Sequence, residues 1–231
     1  MLRQLASSLW VDEVSFRMIG IDFGNRMTCV QLSDGSFWLH SPTKYNRSTH
    51  DQITALGPVR YLVTPSLMHN LFIMSWKKRD KDARVLAPAK AKKVAADISL
   101  DGMSAQEINQ LHNGEISCIP IEGMPLLQEY AFVHHASKTL ILTDLAFNFQ
   151  GHLSGWPKLF LILYGAHRKF GPTITIRTLV KDKQAFGESM RLVMSHDFDR
   201  IIVSHGEVLD SGGKAAMEKA FKKYLAPVTP E

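Results

Sequence analysis

Cysteine is scarce in this sequence. Cys29 and Cys118 stand far apart and no Cys-x-x-Cys pair occurs. That usage excludes a disulfide framework and a thiolate zinc site, and it fits a reducing cytoplasm. Each cysteine is expected to be a small core residue. Long apolar runs are missing as well. The densest stretch, Leu159 to Tyr164, is far short of the ~20 residues that span a bilayer. It predicts a buried helix, and no membrane partner is expected. Met1 to Trp10 has one arginine and no apolar run of the kind a secretory signal needs. There is no Gly/Ser-rich linker, no low-complexity tract and no internal repeat, so residues 1–231 are read as one cytoplasmic domain. No serine sits in Gly-x-Ser-x-Gly, which sets aside a serine-hydrolase elbow.

What is present is an ordinary globular composition. The 231 residues are 45% hydrophobic, enough for a sizeable core. The net charge of +5 is concentrated in a strip: Lys77, Lys78, Arg79, Lys81, Arg84, Lys90, Lys92 and Lys93, against Asp80 and Asp82. Such a strip attracts nucleic acid when aromatics accompany it. Here only Trp76 is at hand, so the strip is read as a solvated face and nucleic acid is not an expected partner.

Periodicity and punctuation give a mixed fold. Met18 to Phe23 and Met27 to Leu32 read as strands joined by Gly24-Asn25 into a hairpin. Ser36 to His40 follows the Asp34-Gly35 turn. Ser48 to Leu56 predicts a helix capped by Ser48 or Thr49 and stopped by Gly57-Pro58. Val59 to Val63 is an almost wholly apolar strand, the kind buried on both faces. Leu71 to Trp76 predicts a short helix and Ala83 to Ala87 a strand. Ser104 with Glu107 forms a capping box for a helix over Ala105 to Leu111. Ile116 to Ile121, Glu129 to His134 and Thr139 to Thr143 are further strands. Leu153 to Ala166 and Lys183 to Met194 read as helices, Arg200 to Val203 as a buried strand, and Lys214 to Leu225 as a last helix with Ala216, Ala220 and Tyr224 on one face. Asp210-Ser211-Gly212-Gly213 offers an anion site at that helix's N-terminus or, equally, plain turn and cap chemistry.

The order strand, turn, strand, helix, short apolar strand from Met27 to His69 resembles the N-terminal half of the metallo-β-lactamase-like proteins. Three later segments resemble the same family in order: Val133-His134-His135-Ala136-Ser137-Lys138-Thr139, Leu140-Ile141-Leu142-Thr143-Asp144-Leu145-Ala146-Phe147, and Arg200-Ile201-Ile202-Val203-Ser204-His205-Gly206. The resemblance implies an α/β (α+β) fold, an αββα sandwich of two mixed sheets flanked by helices. The family's His-x-His-x-Asp-His loop is represented by Thr64-Pro65-Ser66-Leu67-Met68-His69. Thr64 and Ser66 stand where two histidines of the first metal belong, and Met68 where an aspartate belongs.

By resemblance, then, the first metal site is lost and a second survives in part. His69, Asp144 and His205 are its implied ligands, with His135 as a fourth ligand or a general base, and His134 as the competitor for that place. Asp144 and His135 are the implied catalytic groups. One zinc or iron ion, or none, is the implied cofactor. The implied reaction is hydrolysis of a small-molecule substrate through one metal-bound water. The alternative is a non-catalytic descendant of the fold used for binding or scaffolding. Substrate and oligomeric state are not legible.

Overall fold

A computed structural model describes residues 2–91, 94, 96–100, 107 and 110–226. Its larger sheet has seven strands: β1 (Arg3–Ala6), β2 (Leu9–Val14), β5 (Asn25–Gln31), β6 (Phe37–His40), β7 (Val59–Val63), β8 (Arg84–Ala87) and β9 (Ile98–Ser99), adjacent in that order. The second sheet places β10 (Ile116–Pro120), β11 (Tyr130–His134), β12 (Thr139–Ile141) and β15 (Arg200–Ile202) side by side. Two short hairpins complete the strands, β3 (Arg17–Met18) with β4 (Ile21–Asp22), and β13 (Phe147–Phe149) with β14 (Lys169–Gly171).

Side-chain alternation explains why the central strands read as apolar throughout. In β6, Phe37 and Leu39 face one way, into a layer with Met27, Cys29, Leu62, Ile53 of α1 (Arg47–Thr54) and Trp76 of α2 (Ile73–Lys77). Trp38 faces the other way, into a layer between the sheets shared with Val30, Tyr61, Val63, Phe132, Ile141 and Ile202. The far side of the second sheet buries Val133, Leu140 and Ile201 against Phe186 and Met190 of α5 (Lys183–Ser195) and Met217 and Phe221 of α6 (Gly213–Leu225). The result is four layers, helix, sheet, sheet and helix, as the αββα expectation requires. Both cysteines are buried, and burial pushes both thiols well above the ordinary range.

Several local expectations are corrected. β5 does not pair back across Gly24-Asn25. It pairs antiparallel with β2, from Leu9 opposite Val30 to Val14 opposite Asn25, because Leu9 and Val11 supply the apolar layer between the sheets. The hairpin turn lies instead at Ile19-Gly20, both at positive φ. The N-cap of α1 is Asn46, whose side chain accepts the Thr49 N–H. The helix around Leu159–Tyr164 is α3 (Gly155–Leu163), and only Leu161 in it is buried; Trp156, Leu159, Ile162 and Leu163 are exposed. In α6 the core face holds Tyr224 as expected, but with Gly213, Met217 and Phe221 where Ala216 and Ala220 were expected. Its N-terminal N–H groups at Gly212 and Gly213 are already taken by the Asp199 side chain and carbonyl, both at 2.7 Å. Trp76 is buried and donates its indole N–H to the Thr43 carbonyl, so the basic strip does not present it for stacking. The helix expected over Ala105–Leu111 falls mostly outside the described residues, as do Lys92 and Lys93. Among the described residues no helix is long and apolar enough to cross a membrane.

Two parallel pairings position the chemistry. β6 runs parallel to β7 in the first sheet, and β12 parallel to β15 in the second. Within each pair both chains therefore leave the sheet at one end. Ser41 follows β6 and the Thr64–His69 loop follows β7; Asp144 follows β12 and His205 follows β15. The carboxyl ends of parallel strands are where crevices form in such sheets.

Candidate metal centre

His69, Asp144 and His205 converge there, with one donor atom of each within 4.8 Å of the others. The Asp144 Oδ1 is 3.3 Å from His69 Nε2 and 3.4 Å from His205 Nε2. Each imidazole is held by its other nitrogen. His205 Nδ1–H donates to the Gly24 carbonyl at 2.8 Å, which turns Nε2 towards the carboxylate. His69 Nδ1 meets the Ser41 hydroxyl at 2.7 Å. The Phe147 ring stacks on His205 with centroids 5.1 Å apart, and fixes its plane.

The loops carrying these groups are braced from below. Glu129 is buried and its carboxylate accepts the backbone N–H groups of Thr143 at 2.7 Å and Asp144 at 3.0 Å. Burial, with the Asp144 charge beside it, pushes the Glu129 carboxyl up to about 8. Burial acts to raise Asp144 too, but the facing His69 and His205 imidazoles overcome it and hold that carboxyl well below its usual range. Burial works against a charged His205, yet Asp144 outweighs it and raises the imidazole's pKa. On the other loop the buried Arg26 guanidinium donates to the carbonyls of Val203 and Gly206, on either side of His205, while its Nε meets Glu13 at 3.0 Å. Gly206 has φ of 91°, and a Cβ there would stand 2.3 Å from the Asn148 carbonyl, so only glycine fits. Asn148 accepts the Glu207 N–H at 2.7 Å and ties this loop to β13.

These donors suit one divalent ion. Charge-assisted N–H···O bonds measure ≈ 2.7–2.9 Å, shorter than both separations found here. Two ligands at about 2.0–2.2 Å from a tetrahedral metal stand roughly 3.4 Å apart, which matches both. Two imidazole nitrogens and a carboxylate oxygen are a donor set for zinc or iron. Beside them opens a cavity of about 660 Å³, lined by Asp144, His69, His205 and a largely apolar wall.

A metallo-β-lactamase from Pontibacter korlensis superposes over 98% of this chain and 99% of its own, with a TM-score of 0.63 and 12% identity. A metallo-β-lactamase from Erythrobacter litoralis does so over 96% and 91%, with a TM-score of 0.63 and 16% identity. The chain has the metallo-β-lactamase fold. The FIM-1 metallo-β-lactamase of Pseudomonas aeruginosa, solved in its mono-zinc form, is another structural neighbour of this divergent metallo-β-lactamase-fold protein, covering 98% of this chain and 96% of its own at a TM-score of 0.62 and 13% identity. No protein-family model matches the sequence. No curated protein matches it either.

Of the four residues proposed as ligands for this metallo-β-lactamase-fold protein, three lie together and His135 does not. β11 is antiparallel to β12, with His134 opposite Thr139, so the end of β11 lies at the opposite edge of the sheet from Asp144. The length of β12 (Thr139–Ile141) lies between Thr139 and the loop that carries Asp144. His135 is exposed, with Nε2 2.8 Å from the Ser117 hydroxyl and its ring 6.0 Å from that of His196. It is neither a fourth ligand nor a base for this centre. His134 is buried beside Ser137, and burial lowers its pKa to about 4. The residue that antiparallel pairing does bring to Asp144 is Glu129, at the start of that segment. Thr64 and Ser66 are buried, and Ser66 Oγ accepts the N–H groups of Met68 and His69 at 3.3 Å, shaping the loop rather than offering a metal donor. Met68 is exposed at the cavity mouth. Sequence reasoning missed Glu129, Ser41 and Arg26. Strand register could have flagged the first; nothing local marks the other two.

Proposed function

We propose that this chain is a hydrolase dependent on one metal ion, held by His69, Asp144 and His205. The convergence of two imidazole nitrogens and a carboxylate oxygen from three separate loops, all within 4.8 Å of one another, supports the reading. The Asp144 oxygen stands 3.3 and 3.4 Å from the two nitrogens, a spacing that ligands around a tetrahedral ion also show. An ion bound there supplies Lewis acidity, lowering the pKa of water from about 15.7 towards 7. The chain's own part is positional. The Gly24 carbonyl fixes the His205 tautomer, Ser41 holds the His69 ring through Nδ1, Glu129 holds the Asp144 backbone, and Phe147 shields one face of His205. The apolar wall excludes bulk water from the reacting end of the cavity.

A second reading, a binding protein that shares the fold, is favoured by one observation. Thr64 and Ser66 stand where two of the three ligands of the first metal of the resembled family belong. Elemental analysis after incubation with zinc, iron or manganese separates the two. The hydrolase reading expects about one ion per chain, lost in His205→Ala and Asp144→Ala with the fold intact by circular dichroism. A parent that takes up no stoichiometric ion leaves the binding reading standing.

A further inference from the structure

The cavity beside the centre has a chemistry of its own. Phe16, Phe23, Leu127, Phe147, Phe160 and Ile176 supply most of its wall. Among the described residues that line it there is no lysine, arginine or glutamate; its ionisable groups of charge are the histidines and aspartate of the centre. An anionic ligand would find no lysine or arginine in the wall, and only His69 and His205, which already face Asp144, at its end; a low-dielectric wall disfavours a charge so placed. Asp144 adds repulsion. A volume of about 660 Å³ is that of a site for a ligand of moderate size.

The mouth repeats the pattern. Met18, Met68, Leu71 and Leu126 line the cavity and are 53%, 67%, 67% and 65% exposed. Single exposed apolar side chains are ordinary on a protein surface, but four around one opening form a continuous apolar path from solvent to the centre. Two of them are methionines, whose unbranched, polarisable side chains adapt to varied apolar shapes. Polar groups in the wall are few and neutral: Asn25, Ser41, Thr175 and Tyr164. These orient a carbonyl or hydroxyl rather than a charge.

We infer that this cavity takes an uncharged ligand with a long apolar chain, its polar end at His69, Asp144 and His205. Resting on the hydrolase reading above, the substrate class is a neutral ester or amide of an apolar acyl group. In that hydrolysis the oxygen of water bonds to the carbonyl carbon, the C–O or C–N bond breaks, the leaving alcohol or amine departs with one proton of the water, and the other proton passes to solvent. The apolar chain stays in the cavity while the new carboxylate forms at its polar end.

The probes are straight-chain 2-alkanones from hexanone to dodecanone, and the fatty carboxylates of matching length. Binding is measured by calorimetry with zinc-loaded protein and with protein stripped by a chelator. Ketone affinity should rise about fourfold per added methylene until the chain fills the cavity, in both forms. In the stripped protein carboxylates should bind at least tenfold more weakly than ketones. The double variant Leu71→Glu, Leu126→Glu, at exposed sites that leave the fold unaffected, should flatten the ketone series. A flat ketone series in the parent, or carboxylates binding the stripped protein as tightly as ketones, overturns the inference. A steep ketone series in a protein that takes up zinc yet hydrolyses no long-chain ester refutes the hydrolase reading and upholds the cavity's chemistry.

Discussion

Arg26 is the side chain whose loss tests the construction of the centre most directly. It is buried, and its guanidinium satisfies the carbonyls of Val203 and Gly206 that flank His205. Arg26→Met keeps much of the apolar stem and removes every donor. Each buried carbonyl left without a partner costs about 1–3 kcal/mol, so the two together predict a loss of roughly 2–6 kcal/mol. Glu13 adds little, because it is half exposed and water replaces its lost partner. For a chain of this size 1 kcal/mol moves Tm by about 2–4 °C, so calorimetry should record a fall on the order of 4–24 °C. The loop between Val203 and Gly206 also carries a proposed ligand, so zinc affinity should fall as well. A supporting residue around a metal is typically worth 10–100-fold. Zinc titration against a competing chelator measures this on protein that remains folded at 20 °C or so. Two results refute the reasoning. A stability loss under about 1 kcal/mol means water reaches those carbonyls. Lost stability with unchanged zinc affinity means the brace supports the fold alone.

Three further outcomes are expected. Glu129→Gln keeps the shape but offers an amide nitrogen where one of two backbone N–H groups now finds an oxygen, so stability should fall by about 1–3 kcal/mol and zinc affinity with it; unchanged values in both measurements would deny Glu129 its role under Asp144. Burial lowers the His112 pKa to about 4, below the ~6.5 of an unfolded histidine. The unfolded chain therefore binds the extra proton between those values, and stability present above pH 6.5 is lost by up to about 3 kcal/mol as pH falls towards 4; His112→Phe should flatten that slope in acid-unfolding curves, and a slope equal to the parent's would show the imidazole is not the cause. Met68→Asp adds a carboxylate at the cavity mouth beside the His69 loop and should raise zinc affinity in a chelator competition; no change would mean that position 68 points away from the ions' place.

How far the sequence could be read follows from what each feature depends on. β7 was legible because a strand buried on both faces is nearly all apolar, as Val59, Tyr61, Leu62 and Val63 are around the exposed Arg60. α5 and α6 were legible from their period. β2 was not, since Leu-Trp-Val-Asp-Glu-Val mixes apolar and acidic residues, and its pairing with β5 is decided by the layer both strands fill rather than by the Gly-Asn turn. α3 misled for the opposite reason: its apolar residues cover a surface, which composition cannot distinguish from a core. At the centre, resemblance named residues that are adjacent in space, His69, Asp144 and His205, but placed His135 with them. Strand direction decides that question, and only the pairing of His134 with Thr139 fixes it. Arg26 and Ser41 act through contacts with chain far away in sequence, so no local pattern announces them.

The donors come from three loops, two of them beyond the second sheet and one beyond the first. None of these three loops contains the site by itself, and no single hairpin joins them. A nascent or partly unfolded chain thus has nothing to offer an ion but scattered single ligands, and contacts between such distant segments close slowly. An ion caught at this place therefore reports that both sheets have formed and docked.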